Sequence, residues 1–485
     1  MTTADSRRLL PVLFAPVFMV ILDVFIVNVA APSLRADLGA SEGDVQWVVA
    51  AYLLAYAATL VTGGRLGDVV GRRRMFRIGV AGFTVASALC AAAPSAGALI
   101  AARVVQGVTG AVMWPQVLSI IQVEFPPEER PKAFGVQGFV QGLASIAGQI
   151  VGGALISLDL LGLGWRWVFL VNLPVGVAAS LAAGRVPESR SATARRLDLA
   201  GVALGTSVLL LVMFPAVEGR ELGWPLWAFA MAAASVPLGA AFVALERRIA
   251  ARGGAPLVEL GLFRARGFRV GASAAVVLYF VVAFFLLMSI YLQDGLGLSP
   301  IESGVAFTPL AFAFVSASLA GPRLPARVRA HLPHTGAAIA AVGLVSTAAA
   351  VDTSGGAIPA LVLAPLPVGI GMGLAVPALI NLVLHTVPAE DAGAASGMLT
   401  TAQQVGNALG VALVGTAFFA ALGTGTGSGA YGDAFVVALG IQAGLALAAS
   451  ALLHRARERA PAVVGHTSAR PERAVRAPLT GETDC

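Results

Sequence analysis

The chain has 485 residues, of which 57% are hydrophobic and only 12% are charged, and its mean hydropathy is +0.83. This composition excludes an ordinary soluble globular protein. The net charge of +6 is divided among short loops instead of being gathered on one face, so nucleic-acid binding is not expected. The two cysteines, Cys90 and Cys485, can supply neither a disulfide framework nor a metal site.

Apolar stretches of membrane-spanning length recur along the whole sequence. A helix needs about 20 apolar residues to cross roughly 30 Å of hydrocarbon. The first stretch is not interpreted as a signal peptide, because it carries Asp23 at its centre and is longer than a signal h-region. We therefore predict an all-α polytopic membrane protein with fourteen transmembrane helices, at residues 9–31, 45–66, 76–93, 99–123, 133–158, 167–183, 197–217, 225–244, 270–292, 301–320, 335–351, 358–384, 395–422 and 434–453.

Arginine residues are concentrated in alternate loops, at residues 72–74, 185–196, 247–269 and 323–329, whereas Lys132 is the only lysine. The positive-inside rule then places both termini in the cytoplasm, which requires an even number of spans. This charge pattern favours fourteen spans and a multi-pass protein of the cell membrane.

Two of the arginine-rich loops isolate predicted spans 7 and 8 between two groups of six. The predicted organisation is 6 + 2 + 6, with a six-helix bundle at 1–184, two inserted helices at 185–268, a second bundle at 269–453 and a disordered cytoplasmic tail at 454–485. Residues 149–155 in span 5 are similar to residues 403–409 in span 13, as a duplicated six-helix unit requires.

Between spans 2 and 3 the sequence is GGRLGDVVGRRR, at residues 63–74. It places an acid inside an arginine cluster, with glycines that allow tight turns. We expect Asp68 to contact arginines of its own loop and the positive N-terminal end of span 13 near Ala394, and so to hold the cytoplasmic side closed. The candidate residues of this gating loop are Gly64, Asp68, Gly71, Arg72 and Arg73.

Two charged residues, Asp23 and Arg103, are predicted to lie inside spans. An ionised carboxylate there costs several kcal/mol unless it faces water, meets a cation or binds a proton. Asp23 is thus a candidate proton-coupling acid, the alternative being a structural carboxylate bonded to a neighbouring helix. Arg103 stays charged and would stabilise an acid electrostatically. The alternative for Arg103 is a side chain that extends to the lipid headgroups.

These motifs resemble those of known membrane transporters. The loop at 63–74 resembles the signature between the second and third helices of the major facilitator superfamily, and residues 103–110 resemble its R-x-x-Q-G-x-x-[G/A] motif. Gly148, Gly152 and Gly153 match the G-x-x-x-G-P-x-x-G-G motif of the drug:proton antiporters. In this sequence Gln149 stands at the position of the motif's proline. Residues 165–176, 291–304 and 392–397 match the fourteen-span branch of these antiporters.

The resemblance implies the fold of that superfamily, with two pseudo-symmetric halves. It also implies proton-coupled export of a bulky, amphipathic antibiotic or drug by alternating access, with resistance or self-resistance of the actinomycete type. Asp23 and Arg103 would couple proton movement to export, and Gly148, Gly152 and Gly153 would form a helix-packing motif.

Polar and aromatic residues within the spans are candidates for contact with the substrate. For the aromatic ones, helix packing or anchoring at the lipid interface is the alternative interpretation. The candidates are Asn28, Trp47, Gln106, Trp114, Gln149, Asn381, Gln403, Gln404 and Asn407.

Motifs of enzymes, including a phosphate-binding loop and a His/Cys metal cluster, are absent from the sequence. We predict a protein that is not an enzyme, that needs no cofactor or metal and that uses a proton gradient. Its expected partners are a small-molecule substrate, protons and the lipid bilayer, and it is expected to be a monomer. A proton-coupled importer of a nutrient is the alternative function, and a non-transporting sensor is disfavoured because no soluble output domain is predicted.

Overall fold

The computed structural model describes residues 3–40, 42–191, 198–219, 222–254, 256–298, 300–354, 356–425 and 427–458. All regular secondary structure in these ranges is helical. The predicted disordered tail lies mostly outside the described residues. The helices of the first part are α1 (Thr3–Leu38), α2 (Glu42–Val70), α3 (Arg72–Ala91), α4 (Ala96–Glu124), α5 (Arg130–Leu158), α6 (Trp167–Leu170) and α7 (Asn172–Ala182).

The next two helices, α8 (Leu199–Glu218) and α9 (Leu226–Ala251), form a hairpin that we call the inserted hairpin. The remaining helices are α10 (Arg266–Tyr279), α11 (Ala283–Ile290), α12 (Pro300–Ala306), α13 (Thr308–Ala320), α14 (Ala326–Arg329), α15 (Leu332–Ser354), α16 (Ile358–Leu363), α17 (Leu366–His385), α18 (Ala392–Leu422) and α19 (Ser428–Glu458).

Twelve helical segments in the described residues are long and apolar enough to cross a membrane. Several consist of two consecutive helices, such as Ile358–His385, which contains α16 and α17. Helix α5, with 29 residues, and helix α8, whose apolar part is Leu199–Pro215, are not among the twelve. The helical membrane architecture is as predicted, whereas the number fourteen is not confirmed.

Local chemistry fixes where several helices begin and end. Helix α4 begins after Ser95, whose hydroxyl accepts a hydrogen bond from the backbone N–H of Ala98 at 3.3 Å. It ends before Pro126 and Pro127, because the residue that precedes a proline disfavours helical geometry.

The predicted loop at 63–74 is wrong in its extent. Helix α2 continues through Val70 and α3 begins at Arg72, so Gly71 alone interrupts the helices, with a φ of 122° that favours glycine. Gly64 lies inside α2 and allows close helix contact instead of a turn: a Cβ atom there would collide with the carbonyl oxygen of Gly393 in α18.

The two halves of the chain meet where α2 packs on α18 and α5 packs on α13. These contacts are tight near the connections α2–α3 and α13–α15, which carry arginines; we call this end of the molecule the arginine-rich end. There the side-chain amide of Gln122 donates to the carbonyl oxygen of Leu384 at 2.6 Å. The inserted hairpin packs through α8 on α2 and α18, beside the junction of the halves.

Candidate functional site

A buried polar cluster lies where α1, α3, α4 and α7 meet, and Asp23 is its centre. The side chains of Asp23 and Arg103 are 0% and 1% exposed and form a salt bridge through Asp23 Oδ2 and Arg103 Nη1. Arg103 Nε also donates to the backbone carbonyl oxygen of Val48 in α2 at 2.9 Å. Arg103 therefore does not extend to the lipid headgroups, and the charge of Asp23 is compensated inside the protein.

Gln106 connects the members of this polar cluster. Its Nε2 donates to Asp23 Oδ1 and to Ser87 Oγ, both at 2.9 Å, and its Oε1 accepts a hydrogen bond from Arg103 Nη1 at 2.6 Å. The prediction that Gln106 lines a substrate cavity is therefore corrected, because its amide group is occupied by these neighbours and the residue is fully buried.

Two further members of the cluster were not assigned to it from the sequence. Asn172, at the start of α7, donates from Nδ2 to Asp23 Oδ1 at 3.4 Å, while its buried Oδ1 has no hydrogen-bond partner. The ring of Tyr52 lies under the guanidinium group of Arg103, 4.2 Å from Cζ to the ring centroid, and its hydroxyl is also unpartnered. The sequence signal for Asn172 was its place within the 165–176 motif.

The chemistry of this cluster is that of a desolvated carboxylate held by side chains alone. A proton on Asp23 would remove the charge that pairs with Arg103, and the guanidinium would then have to find other acceptors or water. Asn172 Oδ1, which has no hydrogen-bond partner, is an acceptor within the cluster.

A second buried acid, Asp68, lies at the end of α2. Its Oδ1 accepts hydrogen bonds from Arg72 Nη2 at 2.7 Å and from the backbone N–H of Gly393 at 3.0 Å, and its Oδ2 accepts from the backbone N–H of Ala394 at 2.8 Å. The predicted contact of Asp68 with this helix end is therefore present. A carboxylate is favourable there because the first turn of α18 carries unpaired N–H groups and the positive end of the helix dipole.

The segment that precedes the inserted hairpin covers the turn at Gly71. The backbone N–H of Ser191 donates to the backbone carbonyl oxygen of Asp68 at 3.0 Å. The backbone N–H of Arg72 donates to the backbone carbonyl oxygen of Ser189 at 2.8 Å. Arg73 and Glu188 form a half-exposed salt bridge with 3.6 Å between Nε and Oε2. The turn is thus held by backbone bonds, and Arg73 contributes at the surface.

The glycine motif of α5 packs against the helix that carries Asp23. A Cβ atom at Gly148 would lie 2.8 Å from Cβ of Phe25, and one at Gly152 would lie 2.7 Å from Cγ1 of Ile26. These glycines allow α5 to approach α1 closely beside the acid. Gly153 lies in α5, but its surroundings and the side chains of Asn28 and Gln149 are not described.

The other candidate substrate contacts lie on several helices. Trp47 packs against Phe214 of the inserted hairpin, with ring centroids 5.7 Å apart, and Trp114 is buried in the core. Gln403, Gln404 and Asn407 lie together on α18, where Gln403 Nε2 and Asn407 Oδ1 have no hydrogen-bond partner.

Two grooves open at the arginine-rich end, at the junction of the halves. The first contains Asn381 together with Ser318, Pro322 and Arg329. The second lies between the start of α5 and the end of α13, and its lining includes Lys132 and Arg323.

Comparisons with known proteins agree with this fold. The sequence model of the Major Facilitator Superfamily matches residues 13–411, so the chain belongs to this superfamily. Its members are transporters, which take energy from an ion gradient and need no cofactor; the chain is a multi-pass transporter and not an enzyme, as predicted.

Several similar proteins are from species of Streptomyces. The "Probable actinorhodin transporter" of Streptomyces coelicolor is 43% identical over 420 residues, which are 86% of this chain and 73% of that protein. The "Puromycin resistance protein pur8" of Streptomyces alboniger is 39% identical, over 85% of this chain and 82% of that protein.

Solved structures with the same fold are more distant in sequence. The human organic anion transporter MFSD10 superposes with a TM-score of 0.67 at 16% identity, over 92% of this chain and 99% of that chain. The proton:xylose symporter XylE superposes with a TM-score of 0.65 at 14% identity, over 93% of this chain and 96% of that chain. At these identities the likeness concerns the fold alone.

Proposed function

We propose that the chain is a proton-coupled exporter of a bulky, amphipathic antibiotic or drug and that it confers resistance on the cell that carries it. The similarity to antibiotic export and resistance proteins over more than four fifths of the chain supports the class of substrate. The observation that carries the proton coupling is the carboxylate of Asp23, which is excluded from solvent and, among the described residues, is bound by side chains alone.

In this mechanism Asp23 binds a proton from outside and releases it inside. The ionised form is stabilised by Arg103 and Gln106, and the protonated form frees Arg103 to change its partners. One charge that crosses a potential of 100 mV supplies about 2.3 kcal/mol, enough for a roughly 50-fold substrate gradient before a pH difference is added.

The arginine-rich end acts as the cytoplasmic gate, which is closed in this structure. Asp68 closes it by binding the N-terminus of α18 from the other half of the molecule. Gly64 and Gly397 let α2 and α18 approach at backbone distance. The opposite, extracellular side is then the one from which substrate leaves in this state.

The organisation that accompanies this function is two six-helix bundles with the inserted hairpin between them. Helices α5 and α8 cross the membrane with the twelve segments described above, which gives fourteen spans and places both termini in the cytoplasm. The protein works as a monomer in the cell membrane.

The coupling is tested with purified protein in liposomes, with puromycin and a fluorescent amphipathic dye as probes. An imposed pH gradient should drive accumulation by the wild type, and Asp23→Asn should reduce it to the level of protein-free liposomes, since an amide cannot carry the proton. Full pH-driven transport by Asp23→Asn would overturn the assignment.

The matched control is Asp37→Asn. Hydrogen bonds from Trp165 and Arg166 lower the pKa of the Asp37 carboxyl below its usual value. This exposed acid therefore stays ionised throughout the assay, and the variant should transport like the wild type. Comparison of inside-out with right-side-out vesicles separates export from the alternative, import.

A further inference from the structure

A pair of carboxyl groups, Asp198 and Glu246, lies at the base of the inserted hairpin and has no part in the proposed mechanism. Asp198 caps α8: its Oδ1 accepts a hydrogen bond from the backbone N–H of Gly201 at 2.9 Å. Glu246 lies near the end of α9, and its Oε2 accepts from the backbone N–H of Val258 at 2.9 Å. Each carboxyl group thus uses one oxygen to fix a different part of the backbone.

The other two carboxyl oxygens face each other. Asp198 Oδ2 and Glu246 Oε1 are both buried, and neither has a hydrogen-bond donor in the described structure. Both lie against Gly201, where a Cβ atom would collide with each of them. Glu246 as a whole is 0% exposed. Two buried acceptor atoms beside the same glycine, with no donor in the described structure, leave a place for one hydrogen.

The described residues around the pair offer no positive charge to balance two ionised carboxylates. Arg195 and Arg196, which precede Asp198 in the sequence, lie outside the described residues. Charged residues occur on the same elements, at Arg247, Arg248, Glu259 and Arg264, but among the described residues Asp198 is the only charged group that acts on the Glu246 carboxyl. Two neighbouring carboxylates away from water repel each other, and one proton between them would give both orphan oxygens a hydrogen-bond partner.

We propose that Asp198 and Glu246 form a second proton-binding site, in which the two carboxyl groups share one proton that fastens the base of the inserted hairpin. The site is distinct from Asp23, because it joins α8, α9 and the segment before α10 and has no contact with the polar cluster. Loss of its proton leaves two adjacent anions that repel each other and separate these three elements.

The position of the site links it to the gate, a consequence that rests on the proposed function. Val258 is followed by Glu259, whose charge acts on Asp391 at the start of α18. The segment that enters the hairpin bonds to Asp68 through Ser191. The segments before and after the inserted hairpin therefore both interact with residues of the gate. Separation of α8 and α9 at the base of the hairpin would weaken these interactions.

The test uses infrared difference spectra of the purified full-length protein between neutral and alkaline pH, recorded in an Asp23→Asn background. A protonated carboxyl group has a carbonyl-stretch band that disappears on ionisation. We expect one such band to be absent from Glu246→Gln and from Asp198→Asn. In each variant an amide N–H replaces the shared proton, so the pair stays bonded and the protein folds.

The same variants give a second measurement. The apparent melting temperature of the parent should fall as the pH is raised and the shared proton leaves, whereas that of Glu246→Gln should be independent of pH over this range. Neither measurement requires transport. The shared-proton proposal can therefore fail while the exporter function stands, and the exporter function can fail while the shared-proton proposal stands.

Two outcomes would overturn the proposal. The first is an identical carboxyl band in the parent and in both variants. The second is a parent without the band whose melting temperature rises with sodium or calcium ions while that of Glu246→Gln does not, which would make the pair a cation site.

Discussion

The described part of the molecule contains two buried aspartate–arginine pairs, and they differ in where their other hydrogen bonds come from. Asp23 is bound by side chains of Arg103, Gln106 and Asn172, all within the first half of the chain. Asp68 is bound by Arg72 and by two backbone N–H groups of the other half. The same ion pair therefore suits two tasks: side-chain donors can rearrange when a proton binds, whereas backbone donors leave only when the halves separate.

The largest expected effect is that of Arg103→Ala. Removing one partner of a buried ion pair leaves an uncompensated charge and costs about 3–5 kcal/mol of the free energy of unfolding. The loss should appear as a large decrease in apparent melting temperature. Combining it with Asp23→Asn should recover most of the lost stability, because the unpaired carboxylate charge of Asp23 is then removed as well. If the double variant is as unstable as the sum of the single ones, the two residues are not energetically coupled.

Asp68→Asn should have the next largest effect, and on transport instead of folding. Each lost hydrogen bond to a charged acceptor is worth about 1.5–3 kcal/mol, and here the loss weakens only the closed gate. We expect slower turnover in proteoliposomes with the dissociation constant for the dye unchanged. Weakened dye binding with normal turnover would show that Asp68 belongs to the substrate site.

Gly64→Ala tests the close approach of α2 and α18 at the gate. The added methyl group would collide with the backbone of Gly393, and such overpacking costs about 1–3 kcal/mol. Closure should be impaired and transport reduced. The control is Gly444→Ala in α19, where a Cβ atom meets nothing within 4 Å. Because alanine favours a helix more than glycine does, the free energy of unfolding of this variant should be unchanged or slightly raised. Equal effects of the two variants would contradict the steric interpretation.

The smallest effect is expected for Arg73→Ala. Its salt bridge with Glu188 is half-exposed, and such pairs contribute about 0–1 kcal/mol. Arg72→Ala, which removes the buried partner of Asp68, should reduce transport much more than Arg73→Ala does. Similar transport rates for the two variants would show that the arginines act through their summed charge at the membrane surface.

The sequence alone predicted the parts of these sites whose physics is local or unavoidable. A charge inside the membrane needs an opposite charge, so Asp23 and Arg103 were both singled out. A carboxylate favours a helix N-terminus, so the contact of Asp68 with Ala394 was also expected. The family motifs predicted the helical architecture of the superfamily.

What failed depends on packing between distant segments. The glycines at 63–67 permit a turn or a close helix contact equally well, and only the positions of α4 and α18 decide between them. Gln106 was predicted to face a cavity, but its amide group is bonded to side chains of other helices. Glu246 was not predicted as a site residue for the same reason, because its role depends on contacts with Asp198 and Val258, which lie 48 and 12 positions away in the sequence.

Lys132 stands exposed at the start of α5, in the groove that also contains Pro322 and Arg323 of the other half. Since the chain has no second lysine, amine-reactive dyes can label one side chain at the seam between the halves without any engineered cysteine. Lys132 can thus serve as a native labelling site. The fluorescence of a label there should change when the two halves separate at this groove as substrate and protons are added.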